Sequence, residues 1–185
     1  MCSFRTCGYA MKKEWPRYLA RSETGEVASA ALDLMEFFDQ LRRKKHLDRS
    51  FARGFGKVAY HAACHLRAQK IAIPGARVLS LLPETEVRIV ERCTAVDGTW
   101  GMKAAFYDEG VRYANKLARA LEEGREEGER LVVSDCSLAG LRVFEQTGRH
   151  PPHPVVALAV AYGLLTPVDA GLIEEVEPHA AEEEP

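Results

Sequence analysis

The chain has 185 residues, 46% of them hydrophobic and 28% charged, the balance of a globular protein with room for one domain and a real core but not for two comfortable ones. No apolar run approaches the roughly 18 residues of a membrane span, and MCSFRTCGYAMKK at the N-terminus lacks the apolar stretch of a secretory leader, so a cytoplasmic protein is expected. The net charge of -2 hides an asymmetry: residues 167–185 hold seven acidic residues and no Lys or Arg, leaving 25 basic against 20 acidic residues on 1–166. The acidic end reads as a solvated tail, and a body this mildly positive, with no basic stripe among aromatics, gives no reason to expect a nucleic-acid partner.

GYAMKKEWPRYLA begins as a helix that Pro16 is expected to interrupt. RSETGE is a hinge in which Ser22 or Thr24 is a candidate cap for a helix over residues 27–46. That helix places Val27, Ala31, Leu34, Met35, Phe38 and Leu41 on one stripe and ends in RRKKH, which suits a helix C-terminus and reads as a solvated face. KVAYHA, VRIVE and LVVSD read as three short strands. Between and after them come an Ala-rich helical segment, a long amphipathic helix over 104–123 ending at Gly124, a helix from Ser137 to Gly148, and a last apolar helix near 155–165 after HPPHP. Strands alternating with helices predict an α/β fold, a small mainly parallel sheet covered by helices in a single domain over residues 1–166.

Five cysteines are present, Cys2, Cys7, Cys64, Cys93 and Cys136. In VAYHAAC, VRIVERC and LVVSDC a cysteine stands just past each apolar run. Parallel strands end on one edge, so Cys64, Cys93 and Cys136 are expected to meet at the C-terminal edge of the sheet, where open α/β sheets bind ligands. Cys7 is a candidate fourth member. Thiolates there would face the positive end of the following helix, which lowers a thiol pKa and favours metal binding. Four converging thiolates hold zinc or an iron–sulfur cluster. The competing account is that buried cysteines act as small hydrophobes. Gly98 and Gly101 are expected to let backbone amides approach an inorganic core, and Trp100 either to shield it or to fill the core. Asp97 is expected to anchor the turn, and Cys2 to be a free terminal thiol.

The pieces YHAACHLRAQ, ERCTAVDGTWGMK, VSDCSLAG and TGRHPPHPVVALAVAYG, in that order, resemble the C-terminal cysteine-rich (CCG-type) domain of the iron–sulfur subunit of anaerobic glycerol-3-phosphate dehydrogenase. More broadly, they are similar to the cysteine-rich subunit of heterodisulfide reductase and to related iron–sulfur oxidoreductases. The resemblance implies a 4Fe-4S cluster held by Cys7, Cys64, Cys93 and Cys136. It also implies electron transfer with a redox partner, a ferredoxin-like or flavoprotein subunit, and association with the inner face of a membrane through such a complex. Two positions depart from the pattern: the paired cysteine is Thr94 here, and the closing C-x-x-C ends in Ala139. The ferredoxin-like module and first cysteine-rich repeat of full-length relatives have no counterpart, so the resemblance implies either a fragment or a partner that supplies the missing relay.

His61 and His65 flank Cys64 and are candidates for hydrogen bonding to a cluster, or for structural roles. His150 and His153 are expected to close the edge of the site. Arg67 and Lys103 either offset cluster charge or lie on the surface. No catalytic residue is assigned. Two alternatives stand beside electron transfer: a structural four-cysteine zinc protein, and a thiol enzyme using Cys64 with His61 or His65 as base.

Overall fold

The computed structural model describes residues 5–19 and 21–172. Cys2 and residues 173–185 of the acidic end lie outside them. Three strands, β1 (Gly56–His61), β2 (Thr85–Val90) and β3 (Glu129–Ser134), form one sheet in the order β2-β1-β3, and both pairings are parallel. This is the expected α/β arrangement. The central strand is buried from Val58 onward and, as pleating requires, alternates between two cores. Val58 and Tyr60 face α4 (Leu34–Arg43), α6 (Pro74–Leu79) and α9 (Pro154–Ala161) through Met35, Val78, Leu79 and Leu158. Ala59 faces α7 (Tyr107–Glu123) and α8 (Ser137–Thr147) through Leu117, Leu121 and Val143.

Several helices differ from the sequence expectation for identifiable reasons. Pro16 does not interrupt the first helical run. α1 (Arg5–Tyr9) continues through a π-helical turn, Ala10–Glu14, into α2 (Trp15–Tyr18), where Pro16 sits in the first turn and no amide is required of it. The expected helix over 27–46 is two helices, α3 (Glu23–Ala30) and α4. Asp33 breaks it: its carboxylate accepts from the Met35 and Glu36 amides at 2.9 and 3.4 Å, while Glu36 accepts from the Asp33 amide at 3.2 Å, a complete capping box. Neither Ser22 nor Thr24 caps α3. Residues 104–106 are a 3-10 turn ahead of α7. At the far end, Pro167 to Leu172 form backbone-bonded turns, and Leu172 packs against the core, so the ordered body extends past residue 166.

The RRKKH run is only partly the solvated face expected. Asp39, fully buried on α4, binds Arg42 at 2.7 Å, Arg43 at 2.8 Å and Arg77 of α6 at 2.8 Å. Burial alone would raise the Asp39 pKa, but the three guanidinium groups outweigh it and hold it below the usual carboxylate range. A depressed folded pKa contributes stability that is present above the unfolded value, roughly 3.9, and is lost as pH falls through the folded one. Asp39→Asn should therefore lower stability by about 2 kcal/mol near neutral pH, since it leaves clustered cations uncompensated. Urea titrations at descending pH should find the variant's deficit shrinking below about pH 4; a deficit that does not change with pH would remove the carboxylate charge from the account.

Candidate functional site

The strand register sets the positions of the thiols. His61 of β1 pairs with Val90 of β2 and with Ser134 of β3, a straight row across the sheet. Cys64, Cys93 and Cys136 come after that row by three, three and two residues (61 to 64, 90 to 93, 134 to 136), so all three leave the same rim. A small concavity of about 20 Å³, roughly the room of one water, lies there, lined by Cys64, Cys136, His61, His65, Thr94 and Gly98, with Asp97 and Ala139 at its wall. All described cysteines are free thiols, with Cys64 and Cys136 half-buried and Cys7 and Cys93 exposed.

Cys64 and Cys93 are hydrogen-bonded to each other and share a proton unequally. The Cys64 thiol donates to Cys93, which lowers the Cys93 pKa to about 6. The Ala95 amide, 3.2 Å from Cys93 Sγ, and the Arg67 charge add to this against partial burial and Asp97. The same bond, with burial and the nearby Cys136, pushes the Cys64 thiol up. The expected helix dipole is not the cause. Cys93 leads into a loop rather than a helix, Cys64 opens a helix of only five residues, α5 (Cys64–Ala68), and Cys136 is the N-cap of α8 without a side-chain capping bond.

His61 is 1% exposed and both ring nitrogens are taken. Nε2–H donates to the Arg92 carbonyl at 3.0 Å, which leaves Nδ1 as the acceptor for the Ser134 hydroxyl at 3.0 Å. Burial pushes its pKa down, so the ring is neutral. With both nitrogens occupied, His61 serves neither as a metal ligand nor as a base for Cys64; it ties together the ends of all three strands. His65 packs its ring 5.3 Å from that of Tyr9. That contact belongs to the packing of α1, which carries Cys7, against α5, which carries Cys64.

The glycine turn is placed as expected but built differently. Ala95, Asp97 and Gly98 all have positive φ, 52°, 39° and 67°, a strained run for the two residues that bear a side chain. Backbone bonds close the turn, Trp100 N–H to Asp97 C=O and Gly101 N–H to Val96 C=O, both 3.2 Å, in place of the expected Asp97 side-chain anchor. Gly98 lines the pocket; Trp100 and Gly101 do not. Trp100 stacks on Phe106 at 4.9 Å. Gly101 lies against α7, where a Cβ would sit 2.0 Å from the Ala95 carbonyl and 3.5 Å from Gly110 Cα, so the glycine serves helix packing and not approach to a ligand.

Arg142 is the residue that sequence reading misses. It is 2% exposed, donates to the Gly101 carbonyl at 2.6 Å and lies 4.8 Å over the Tyr107 ring, clamping the turn to α8. An arginine in an amphipathic helix gives no sign of which way it points. His153 caps α9 through the Val155 amide at 3.1 Å, His150 sits edge-on to Phe144 at 6.1 Å, and neither lines the pocket. Instead the HPPHP segment closes the edge of β3, where Pro152 C=O accepts from Ser134 N–H at 3.0 Å. Arg67 and Lys103 are both exposed, and only Arg67 acts on the thiols.

Among the described residues, no three His, Cys, Asp or Glu side chains gather closely enough to hold a single metal ion, and no helix is long and apolar enough to cross a membrane. No protein-family model matches the chain, and no solved structure matches it.

Alkylation by iodoacetamide should be selective for Cys93 over Cys64 and rise with pH around a midpoint near 6, because the thiolate is the nucleophile. Replacing Cys64 by Ser weakens the bond that holds the charge and should move the midpoint upward, as tracked by mass spectrometry of the labelled peptides. Equal labelling of Cys64 and Cys93 across that range would refute the unequal sharing of the proton.

Proposed function

We propose that this chain is an iron–sulfur cluster-binding electron-transfer component, cytoplasmic, working with a redox protein partner. The supporting observation is positional. The positions that carry thiols in the CCG-type pattern, Cys64, Thr94, Cys136 and Ala139, all line one pocket at the sheet rim, and Cys93 is bonded to Cys64 beside it. Cys64 and Cys93 are 29 positions apart in the chain (93 less 64), and Cys93 and Cys136 are 43 apart (136 less 93), so their meeting in one place would arise by chance only rarely.

The donors fit such a group in kind. Cys64, Cys93 and Cys136 offer soft sulfur ligands, and Cys7 is carried by a helix packed on the one that Cys64 opens. Thr94 and Ala139 offer none, which limits the set to four thiols. A bound cluster would supply one-electron chemistry. The chain's own contributions are the Ala95 amide directed at the Cys93 sulfur, the Arg67 charge, and the neutral His61 bracing the rim.

Structural zinc is the alternative that the same thiols allow, with sulfurs about 3.8 Å apart at a Zn–S length near 2.3 Å; no three candidate ligands meet at single-ion spacing among the described residues.

Anaerobic reconstitution with iron and sulfide should give a brown protein with about four irons per chain. Cys64→Ser, Cys93→Ser and Cys136→Ser should each lose most of the iron and colour, whereas Cys2→Ser should keep both. Colourless protein that retains stoichiometric zinc instead would overturn the electron-transfer function.

A further inference from the structure

The two edges of the sheet are finished differently. On β3 the Ser134 amide donates outward to the Pro152 carbonyl at 3.0 Å, so the segment ahead of α9 covers that end of the strand. On β2 the hydrogen bonds show which main-chain groups face outward. The Val90 carbonyl accepts from Ala62 N–H and the Arg92 carbonyl from His61 Nε2–H, both at 3.0 Å, so Val90 and Arg92 turn toward β1. By alternation Val87, Ile89 and Glu91 turn their N–H and C=O groups away from it. None of the turn, loop or cap bonds among the described residues reaches these three. An open trough runs along this edge, lined by residues 88–92 together with Ile73 and Ala120, which belong to the cores on opposite faces of the sheet. A strand edge left open in this way is a template for a further strand.

The side chains along the edge indicate which strand. Ile89 is 46% exposed, alone among the large apolar residues of the three strands. Glu86, Glu91 and Arg92 are exposed and enter no ion pair among the described residues, whereas Arg88 is held by Glu129 at 2.8 Å. The order of these charges fits β2 to itself. In an antiparallel pair with its two-fold axis at Ile89, Glu86 of each copy stands opposite Arg92 of the other, so carboxylate meets guanidinium twice. Other registers lack this match. An axis at Arg88 opposes two arginines, one at Val90 opposes Arg88 to Arg92, and one at Glu91 opposes two glutamates; an axis at Val87 sets Glu91 against Pro83, which has no N–H to give.

We propose that two copies of this chain pair antiparallel through β2 about a two-fold axis at Ile89, joining two three-stranded sheets into one. Ile89 exchanges two main-chain bonds with Ile89 of the second copy, and Val87 exchanges two with Glu91 on either side, about six in all. The two Ile89 side chains leave water against each other, and the two Glu86 to Arg92 contacts fix the register. Because the strands run in opposite directions, the two thiol rims face opposite ends of the joint sheet, and the contact does not depend on what the thiols bind.

Sedimentation velocity of the full chain between about 1 and 300 μM, under reducing conditions that prevent disulfides between copies, tests it. A single edge contact is a small interface, so the expected result is a monomer at the low end and a mass of two chains at the high end. Arg92→Glu opposes like charges at both contacts and should weaken association about tenfold, and combining it with Glu86→Arg should restore it to within about threefold of the parent. Ile89→Lys should abolish the dimer, with circular dichroism confirming the fold of each variant. Amide hydrogen exchange should slow at Val87, Ile89 and Glu91 as concentration rises. A chain that stays monomeric at about 300 μM, a dimer that the double charge reversal does not restore, or one that leaves those three amides unprotected would overturn the proposal.

Discussion

Parallel, in-register pairing of β1 with both its neighbours is the constraint on which the site depends. Because His61, Val90 and Ser134 stand level, the segments after them emerge on one side at one height. A slip of one residue in either pairing would turn alternate side chains to the wrong face and separate the thiols. His61 reinforces the level row from inside. Its two hydrogen bonds reach Ser134 of β3 and the carbonyl of Arg92 just beyond β2, so the ring spans all three strands at the point where the ladder ends. Keeping that ring neutral matters, since Nδ1 must accept a hydrogen bond from Ser134, and burial acts in that direction.

The rim can hold one negative charge by itself but not several. Cys93 ionises because a thiol, an amide and Arg67 all favour its charged form. The cost appears at once in Cys64, whose proton is held more tightly by the same bond and by burial, with Cys136 adding to the effect. Three thiolates this close repel one another in a partly buried setting. Removing the remaining protons calls for a cationic centre among the sulfurs, and any such binding would release protons and be weakened by acid.

The sheet and the meeting of Cys64, Cys93 and Cys136 can be read from sequence because each strand is short, apolar and succeeded at once by its cysteine. Helix breaks are harder. Asp33 and Glu36 form the D-x-x-E signature of a capping box, but the continuous apolar stripe around them conceals it. The roles of His61 and Arg142 are not legible, because each is decided by contacts 31 to 73 residues away in the chain. Proximity in sequence puts Trp100 and Gly101 at the site. In the fold the turn reverses after Gly98, and the two residues pack against the Phe106 ring and α7 instead.

The two rims of the sheet have separate chemistry, and α9 shows how they are kept apart. Its N-terminal side adjoins the thiol rim, where Pro152 meets Ser134, and its C-terminal side meets the loop that carries Arg49 and Arg53, where Ala161 meets Ala52. Strands of six residues hold the rims about 20 Å apart, more than two Debye lengths at physiological salt. Arg67 can bias the thiols without help from the basic loop, because the length of the central strand, rather than any particular side chain, insulates one set of charges from the other.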